Sequence, residues 1–299
     1  MFKRQIKKII NKILSVFNLR VVKLDADSMI DLTINDNNIL STQYFVGLKK
    51  NIVNIEIDKG RTDRWFDMSS KSLDPAIFAI RNALKKDLKG DSFYKNILST
   101  LQTHKSLTSY KNAAKYLDID FNDEKNLKSY PWWASVYPWD NRTFDDQLKL
   151  YPDEVKKNRL INGMKILFDN PDEIMKDDLE NSLFSHAKQY AELTEEIKNN
   201  GFKYDVNYNH ITAEIFVHND KFCWKVGRDG NHRIAVLVAL GFERIPVQIT
   251  KIIRLDESKY WPNVKLGYFN ETQAVNIFYN IFDAKPSKIH DKWIKKFVE

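Results

Sequence analysis

The stretch KVGRDGNHRIAVLVALGFERIPVQI, residues 225–249, constrains the fold of this chain more than any other. Gly227 and Gly230 bracket charged residues immediately before Ile234 to Leu240, a run without a single charge. That order predicts a glycine turn, a buried helix over 231–240 closed by Gly241, and a strand over RIPVQITKI. Upstream, YAELTEEIKNNGF reads as a helix ending at Gly201, with Leu193 and Ile197 on one face. Between the two helices, ITAEIFVHND and KFCWKVGRDG are β-rich runs joined by an Asn219–Asp220 turn, a hairpin signal. The expected order is helix, strand, strand, helix, strand.

A strand that runs through Gly-Arg-Asp-Gly straight into a helix leaves backbone N–H groups pointing outward at the first helical turn. With the positive end of the helix dipole they form an anion site. Gly227 and Gly230 allow close backbone approach or a positive φ. Arg233 offers a planar, permanently charged fork for phosphate oxygens. His232 can donate to a phosphate or move a proton. Asp229 can orient one of these, hold Mg²⁺, or take a proton from a hydroxyl. The bland alternative is that Asp229 or Asn231 only caps the helix and Arg233 pairs with an acid such as Glu243.

The segment from YAELTEEIKNNGF to DGNHRIAVLVALGFERIPVQI, about 65 residues, resembles the ParB/sulfiredoxin-like superfamily. Its members share a helix ending in glycine, a strand pair, a G-x-x-R-x-x-A-type motif, and a helix closed by Leu-Gly before an Ile-Pro-Val strand. Here the motif reads Gly230, Asn231, His232, Arg233, Ile234, with Ala235 displaced by one position, a departure from the CTP-binding partition proteins. The D-G-x-H-R form is closer to the sulfiredoxins and the free-serine kinases. The resemblance implies nucleotide phosphates on Gly230, Asn231, His232 and Arg233, and ATP or another nucleotide with Mg²⁺ as cofactor. Sulfiredoxins carry a reactive cysteine where this chain has Asn231, and Cys223 lies on the preceding strand, so sulfiredoxin activity is disfavoured. In the kinase branch a carboxylate before the glycine takes part in phosphoryl transfer, which Asp229 matches, and an upstream glutamate assists, for which Glu180 is the candidate.

Elsewhere the pattern is mostly helical. DPAIFAIRNALKKDLKG opens with Asp74 as N-cap and Pro75 at the first helical position, with Gly90 expected to close it. SFYKNILSTLQTH and SLTSYKNAAKYLDI continue the helical pattern, whereas STQYFVGL and NIVNIEID read as strands. YPWWASVYPWD, residues 130–140, is aromatic around Pro131 and Pro138 and therefore irregular. Such a cluster either stacks a base or sugar or pins a loop to the core. Glu271 to Phe282 reads as a helix capped by Asn270, and IHDKWIKKFVE as a short amphipathic one.

Charge narrows the partners. The formal net charge is +7, and residues 1–24 hold seven basic side chains and no acidic one, leaving 40 basic against 40 acidic residues from Asp25 onward. A nucleic-acid-binding body needs a basic excess of its own, so DNA or RNA is disfavoured. Only about 45 residues follow Ile253, with no two-helix DNA reader among them. MFKRQIKKIINKILSVF is amphipathic and suits either an anionic membrane surface or docking on protein. One cysteine and no metal-type spacing of the six histidines argue against disulfides and structural zinc.

The reading expected from sequence is an α+β chain in four segments. These are a basic amphipathic helix (1–24), a strand pair plus mainly helical region (25–129), a ParB/sulfiredoxin-like small mixed sheet with helices (130–255) and a helical extension (256–299). The expected activity is a cytoplasmic nucleotide-binding phosphotransferase acting on a small-molecule or glycan acceptor, with catalytic Asp229, His232 and Glu180 and peripheral association with the inner face of the membrane. The competing reading is a non-catalytic ParB-like module for an anionic ligand or partner.

Overall fold

The computed structural model describes residues 29–31, 50–108, 110–119, 127–161, 170–203 and 210–298. The expected helix over 1–24 and the strand over STQYFVGL lie outside them. In chain order the elements are β1 (Met29–Asp31), β2 (Lys50–Glu56), β3 (Gly60–Arg61), α1 (Pro75–Lys85), α2 (Gly90–Leu107), α3 (Ala113–Tyr116), α4 (Phe144–Ile161), α5 (Pro171–Asn200), β4 (Ile211–His218), β5 (Lys221–Val226), α6 (Asn231–Ala239), β6 (Arg244–Arg254), α7 (Pro262–Lys265), α8 (Glu271–Phe282) and α9 (Asp291–Val298). Helices and a mixed sheet make this an α+β fold, as expected.

The six-stranded sheet runs β1-β2-β6-β4-β5-β3. β4 and β5 form the expected antiparallel hairpin, with Ile215 opposite Trp224, around Asn219 at φ 52°. β6 lies parallel to β4 and antiparallel to β2, setting Ile55 against Ile245 and Val53 against Val247. Pro246 sits inside this strand, but β4 begins pairing only at Val247, so β6 is an edge there on that side. The pairing of β2 with β6 joins residues some 190 apart, so the segments on either side of residue 130 share one sheet.

Alternation along the strands sends two kinds of side chain to the two faces. Ile211, Ala213, Ile215, Trp224, Val226, Val53, Ile55, Ile245 and Val247 join one core with α1, α2, α5 and α6. On the opposite face Phe216 and Cys223 meet Trp139, Trp261, Phe269 and Phe278. A third, smaller cluster gathers Trp133, Val155 and Met175.

Local chemistry accounts for the element ends. Asp74 caps α1 by accepting from the Ala76 and Ile77 N–H groups at 3.0 and 3.3 Å, with Pro75 next. Gly90 does not close α1. Asp87 takes the left-handed turn at φ 48°, the Leu88 N–H reaches back to the Ala83 carbonyl, and Gly90 opens α2 instead. The helical pattern after residue 107 also breaks: the chain turns extended at Thr108, and among the described residues up to Ile119 only Ala113–Tyr116 is helical. Gly201 ends α5 at φ 73°, and Asn270 with Gln273 forms a capping box on α8, both as expected.

Candidate functional site

The Gly-Arg-Asp-Gly turn is held by one threonine of β4. The Thr212 N–H donates to the Asp229 carbonyl at 3.0 Å, and its Oγ1 accepts from the Asp229 N–H at 3.0 Å. The Gly227 N–H donates to the Thr212 carbonyl at 2.7 Å. Both glycines are explained by this docking: a Cβ on Gly227 would lie 2.6 Å from Thr212 Oγ1, and one on Gly230 would lie 2.9 Å from Ile211 Cα. Gly230 also adopts φ 100°. It precedes α6 without any side-chain cap, so neither Asp229 nor Asn231 acts as the cap considered from sequence. The apolar body Ile234 to Val238 is buried and fixes the direction of this helix end.

Consecutive side chains diverge from that end. His232 packs its ring on His186 and Tyr190 of α5, with centroids 4.8 and 5.0 Å away. Arg233 turns the other way, its Nη2 donating to the His210 carbonyl at 3.3 Å. Burial lowers its pKa while Asp229 works against that shift. Asp229 itself is exposed. Arg228, also exposed, pairs at 2.7 Å with Glu154 of α4, which a second arginine, Arg142, holds at 2.9 Å. Both arginines keep the Glu154 carboxyl below its usual range.

His186 and Tyr190 border a cavity of about 250 Å³. Pro75, Ala76 and Leu101 give it an apolar floor from α1 and α2. Tyr110, Tyr116 and Trp132 form a wall in which Tyr110 and Trp132 lie 4.8 Å apart at 43°. His104, Lys105, Asp63 and Arg64 supply its strongest polar groups. Asp63 and Arg64 project from a tight turn closed by the Thr62 N–H to the Phe66 carbonyl at 2.9 Å. Trp65 holds that turn at φ 69°, a left-handed conformation rare for a bulky residue, and is 1% exposed with Nε1 donating to Tyr137 Oη. Such a backbone conformation persists only where packing over-determines it, as the burial of Trp65 does here.

The cavity's charges are balanced. Arg64 Nη1 lies 3.4 Å from both Asp63 Oδ1 and Asp74 Oδ2, long contacts, and the Tyr110 side chain is a further hydrogen-bond partner. Its side chain keeps 31% of its surface accessible, and the residue lines the cavity. Burial opposes its charge, but Asp63 and Asp74, with Tyr110 and Tyr190 adding to them, outweigh burial and hold its pKa well above the usual value. Burial in turn pushes the Asp74 carboxyl up, against the pull of Arg64 and two N–H donors.

Four of the six histidines gather around this space. Burial, with Arg64 and a neighbouring imidazole adding to it, pushes His104 down to about 2 and His186 to about 4. His290, whose Nδ1 lies 3.1 Å from His104 Nε2, is pushed to about 3 by burial and Arg64. His232 is lowered by burial, against Asp63. All four are therefore neutral near pH 7, able both to donate and to accept a hydrogen bond.

Of the residues expected from sequence, Gly230, Asn231, His232, Arg233 and Asp229 share one turn, and only His232 is brought against residues that line the cavity. Glu180 lies on α5, but its side chain falls outside the described ones. Asp63, Arg64, His104 and His186 were not anticipated. The aromatic 130–140 segment divides between its two expected roles. Trp133 and Trp139 are buried in the core, Tyr137 stacks on Trp139 at 5.3 Å and 2°, and Trp132 faces the cavity.

Asp229 stands without neighbouring ligands, and among the described residues no group of three or more His, Cys, Asp or Glu is placed to hold a metal ion. A nucleotide-borne Mg²⁺, which takes one or two carboxylates and completes its shell with phosphate oxygens and water, fits this donor set; a dedicated protein cage does not. Among the described residues no helix is long and apolar enough to cross a membrane. Comparison with protein-family models, with curated proteins and with solved structures found no match.

Proposed function

We propose that this chain is a nucleotide-binding phosphotransferase that transfers a phosphoryl group to a small hydroxylated or glycan-related acceptor. The observation that carries the reading is His232 of the Asp-Gly-Asn-His-Arg turn packed on His186 and Tyr190 at the border of the polar cavity. A candidate phosphate site and a candidate acceptor site thus adjoin. The resemblance of the turn to the ParB/sulfiredoxin-like superfamily supports the same assignment.

In this reading the N–H groups of residues 231–233 and the helix dipole receive the nucleotide phosphates. His232 donates to a transferring oxygen and Arg233 adds charge at the outer edge. Mg²⁺, brought with the nucleotide, would be held on the protein side by Asp229 and would neutralise phosphate charge. Asp63, the carboxylate turned to the cavity, orients the acceptor hydroxyl. The acceptor oxygen forms a bond to the terminal phosphorus, the bond to the bridging oxygen breaks, and the nucleoside diphosphate leaves. The hydroxyl proton goes to the Asp63 carboxylate. Positioning and electrostatics supply the rate enhancement, as in other phosphoryl transfers.

Thermal-shift titration with ATP, ADP and CTP plus Mg²⁺ tests the reading. A saturable rise in Tm with one nucleotide is expected, reduced in His232→Ala and Arg233→Ala. No rise with any of the three, or the same rise in both variants, contradicts it. Binding without nucleoside diphosphate release in the presence of acceptors assigns the turn to a non-catalytic binding module instead. Residues 1–24 would hold the protein on anionic lipid, which co-sedimentation with phosphatidylglycerol vesicles, with and without that segment, checks.

A further inference from the structure

We propose that the cavity between α1, α2, α5 and the rings of Tyr110, Tyr116 and Trp132 binds an uncharged, hydroxyl-rich ring: a neutral monosaccharide unit. Three independent features select that chemistry.

The first is charge. Arg64 is matched by Asp63 and Asp74 at 3.4 Å each, so its donors suit hydroxyl oxygens better than a second anion. With Lys105 added, two cations stand with the two carboxylates Asp63 and Asp74, so the site carries no net excess of either sign. His186 is neutral and brings both a donor and an acceptor without charge, while His104, whose Nε2 is engaged by His290 and Thr108, keeps only its Nδ1 for a ligand. A hydroxylated ring meets such groups pair by pair, each hydroxyl accepting from a guanidinium or imidazole N–H and donating to a carboxylate or imidazole nitrogen. A strongly anionic ligand would leave Asp63 repelled, and an apolar ligand would leave Arg64 desolvated without compensation.

Shape is the second. Tyr110 and Tyr116 are tilted 43° and 45° to Trp132, so the wall is a shallow bowl and not a parallel slot. A flat nucleobase gains most from a parallel ring face, whereas a puckered ring places its C–H edges against tilted electron-rich faces. The third is size. About 250 Å³ lies below the roughly 300–1,000 Å³ of pockets that enclose drug-sized ligands, which suits one ring and excludes a whole nucleotide.

The proposal names the acceptor of the phosphoryl-transfer reading and rests on that reading only for the ligand's fate. Binding is measurable without nucleotide, so the two claims fail separately. The full chain is titrated calorimetrically, without nucleotide or Mg²⁺, with glucose, galactose, mannose and N-acetylglucosamine, and with glucuronate and adenosine as contrasts. At least one neutral sugar should bind saturably and more tightly than both contrasts. Trp132→Ala should weaken that binding by about tenfold, ~1.4 kcal/mol, and Trp132→Phe should restore most of it. Arg64→Gln and His186→Ala, each checked by thermal unfolding, should weaken it by a similar factor. No saturable binding of any of the four sugars overturns the proposal. So does tighter binding of glucuronate or adenosine, or sugar affinity unchanged in the folded Trp132→Ala variant.

Discussion

Trp132 and Trp139 are seven residues apart in one aromatic segment and serve opposite purposes. Trp139 is 4% exposed and meets Phe216, Trp261 and Phe278 edge-on, sealing the aromatic face of the sheet. Trp132 keeps accessible surface and touches Tyr110 and Tyr116 at the cavity wall. The contrast extends to the two sheet faces. One carries interlocking rings that fill space, and the other carries aliphatic strands under helices whose far ends leave a polar cavity. The lesson is that an aromatic cluster in sequence is not one feature: prolines turn successive rings toward different neighbours, and the neighbours decide their roles.

The comparison breaks most visibly at Trp139. Trp139→Ala should cost ~3–5 kcal/mol of stability by chemical denaturation, with ligand affinity kept wherever the protein stays folded. A loss near that of an exposed site would show that the aromatic face does not hold the fold. Gly230→Ala comes next. A Cβ at φ 100° and 2.9 Å from Ile211 Cα should cost ~1–3 kcal/mol and displace the turn, lowering nucleotide affinity as well as Tm. An unchanged Tm would mean that the turn is not rigidly docked on β4.

The histidines sharpen the contrast through pH. Their folded pKa values, about 2 to 4 for His104, His290 and His186, lie below the ~6.5 of an unfolded histidine. As pH falls below about 6.5 the unfolded state takes up protons that the folded state refuses, so stability is lost on acidification. Each such histidine should remove ~2 kcal/mol by pH 5. Asp74 acts in the opposite direction, since burial makes its folded carboxyl hold a proton to higher pH than the unfolded chain does. Denaturant unfolding at pH 7 and pH 5 should show a smaller acid loss in His104→Gln than in the parent. Equal losses would place a charged imidazole in the folded cavity. The smallest stability effect belongs to Trp132→Ala, ~1 kcal/mol, set against the large loss of sugar binding proposed for it.

Much of the scaffold was legible because its signals are local. Asp74-Pro75, the Asn270 cap, the Asn219 turn and the Gly230-to-Gly241 helix each depend on neighbours within a few residues. The cavity was not legible for the opposite reason. Asp63 and Arg64 come from a turn with no periodicity, His104 from α2, His186 and Tyr190 from α5, and Trp132 from a single 3-10 turn, Trp132–Ala134. Each looks structural alone, and the pairing of β2 with β6 that helps bring the first and last thirds of the chain together spans some 190 residues. Gly227 and Gly230 are legible as sites of close backbone approach or positive φ, and Gly230 does adopt φ 100°. The room they make is for Thr212 and Ile211 of β4, which lock the turn in place. The resemblance pairs Arg233 with His232 at the phosphates, and one residue of helix rotation separates their partners: His232 meets His186 and Tyr190, while Arg233 Nη2 reaches the His210 carbonyl.

The central claim, that the Asp229–Arg233 turn and the cavity form one bipartite site, is tested most directly by a crystal structure with Mg²⁺ and a non-hydrolysable ATP analogue. The account predicts terminal phosphate oxygens within hydrogen-bond distance of the N–H groups of residues 231–233, with the terminal phosphorus turned toward Asp63 and His186. A nucleotide seated elsewhere, or phosphates on the turn with the terminal phosphorus facing away from the cavity, would contradict it.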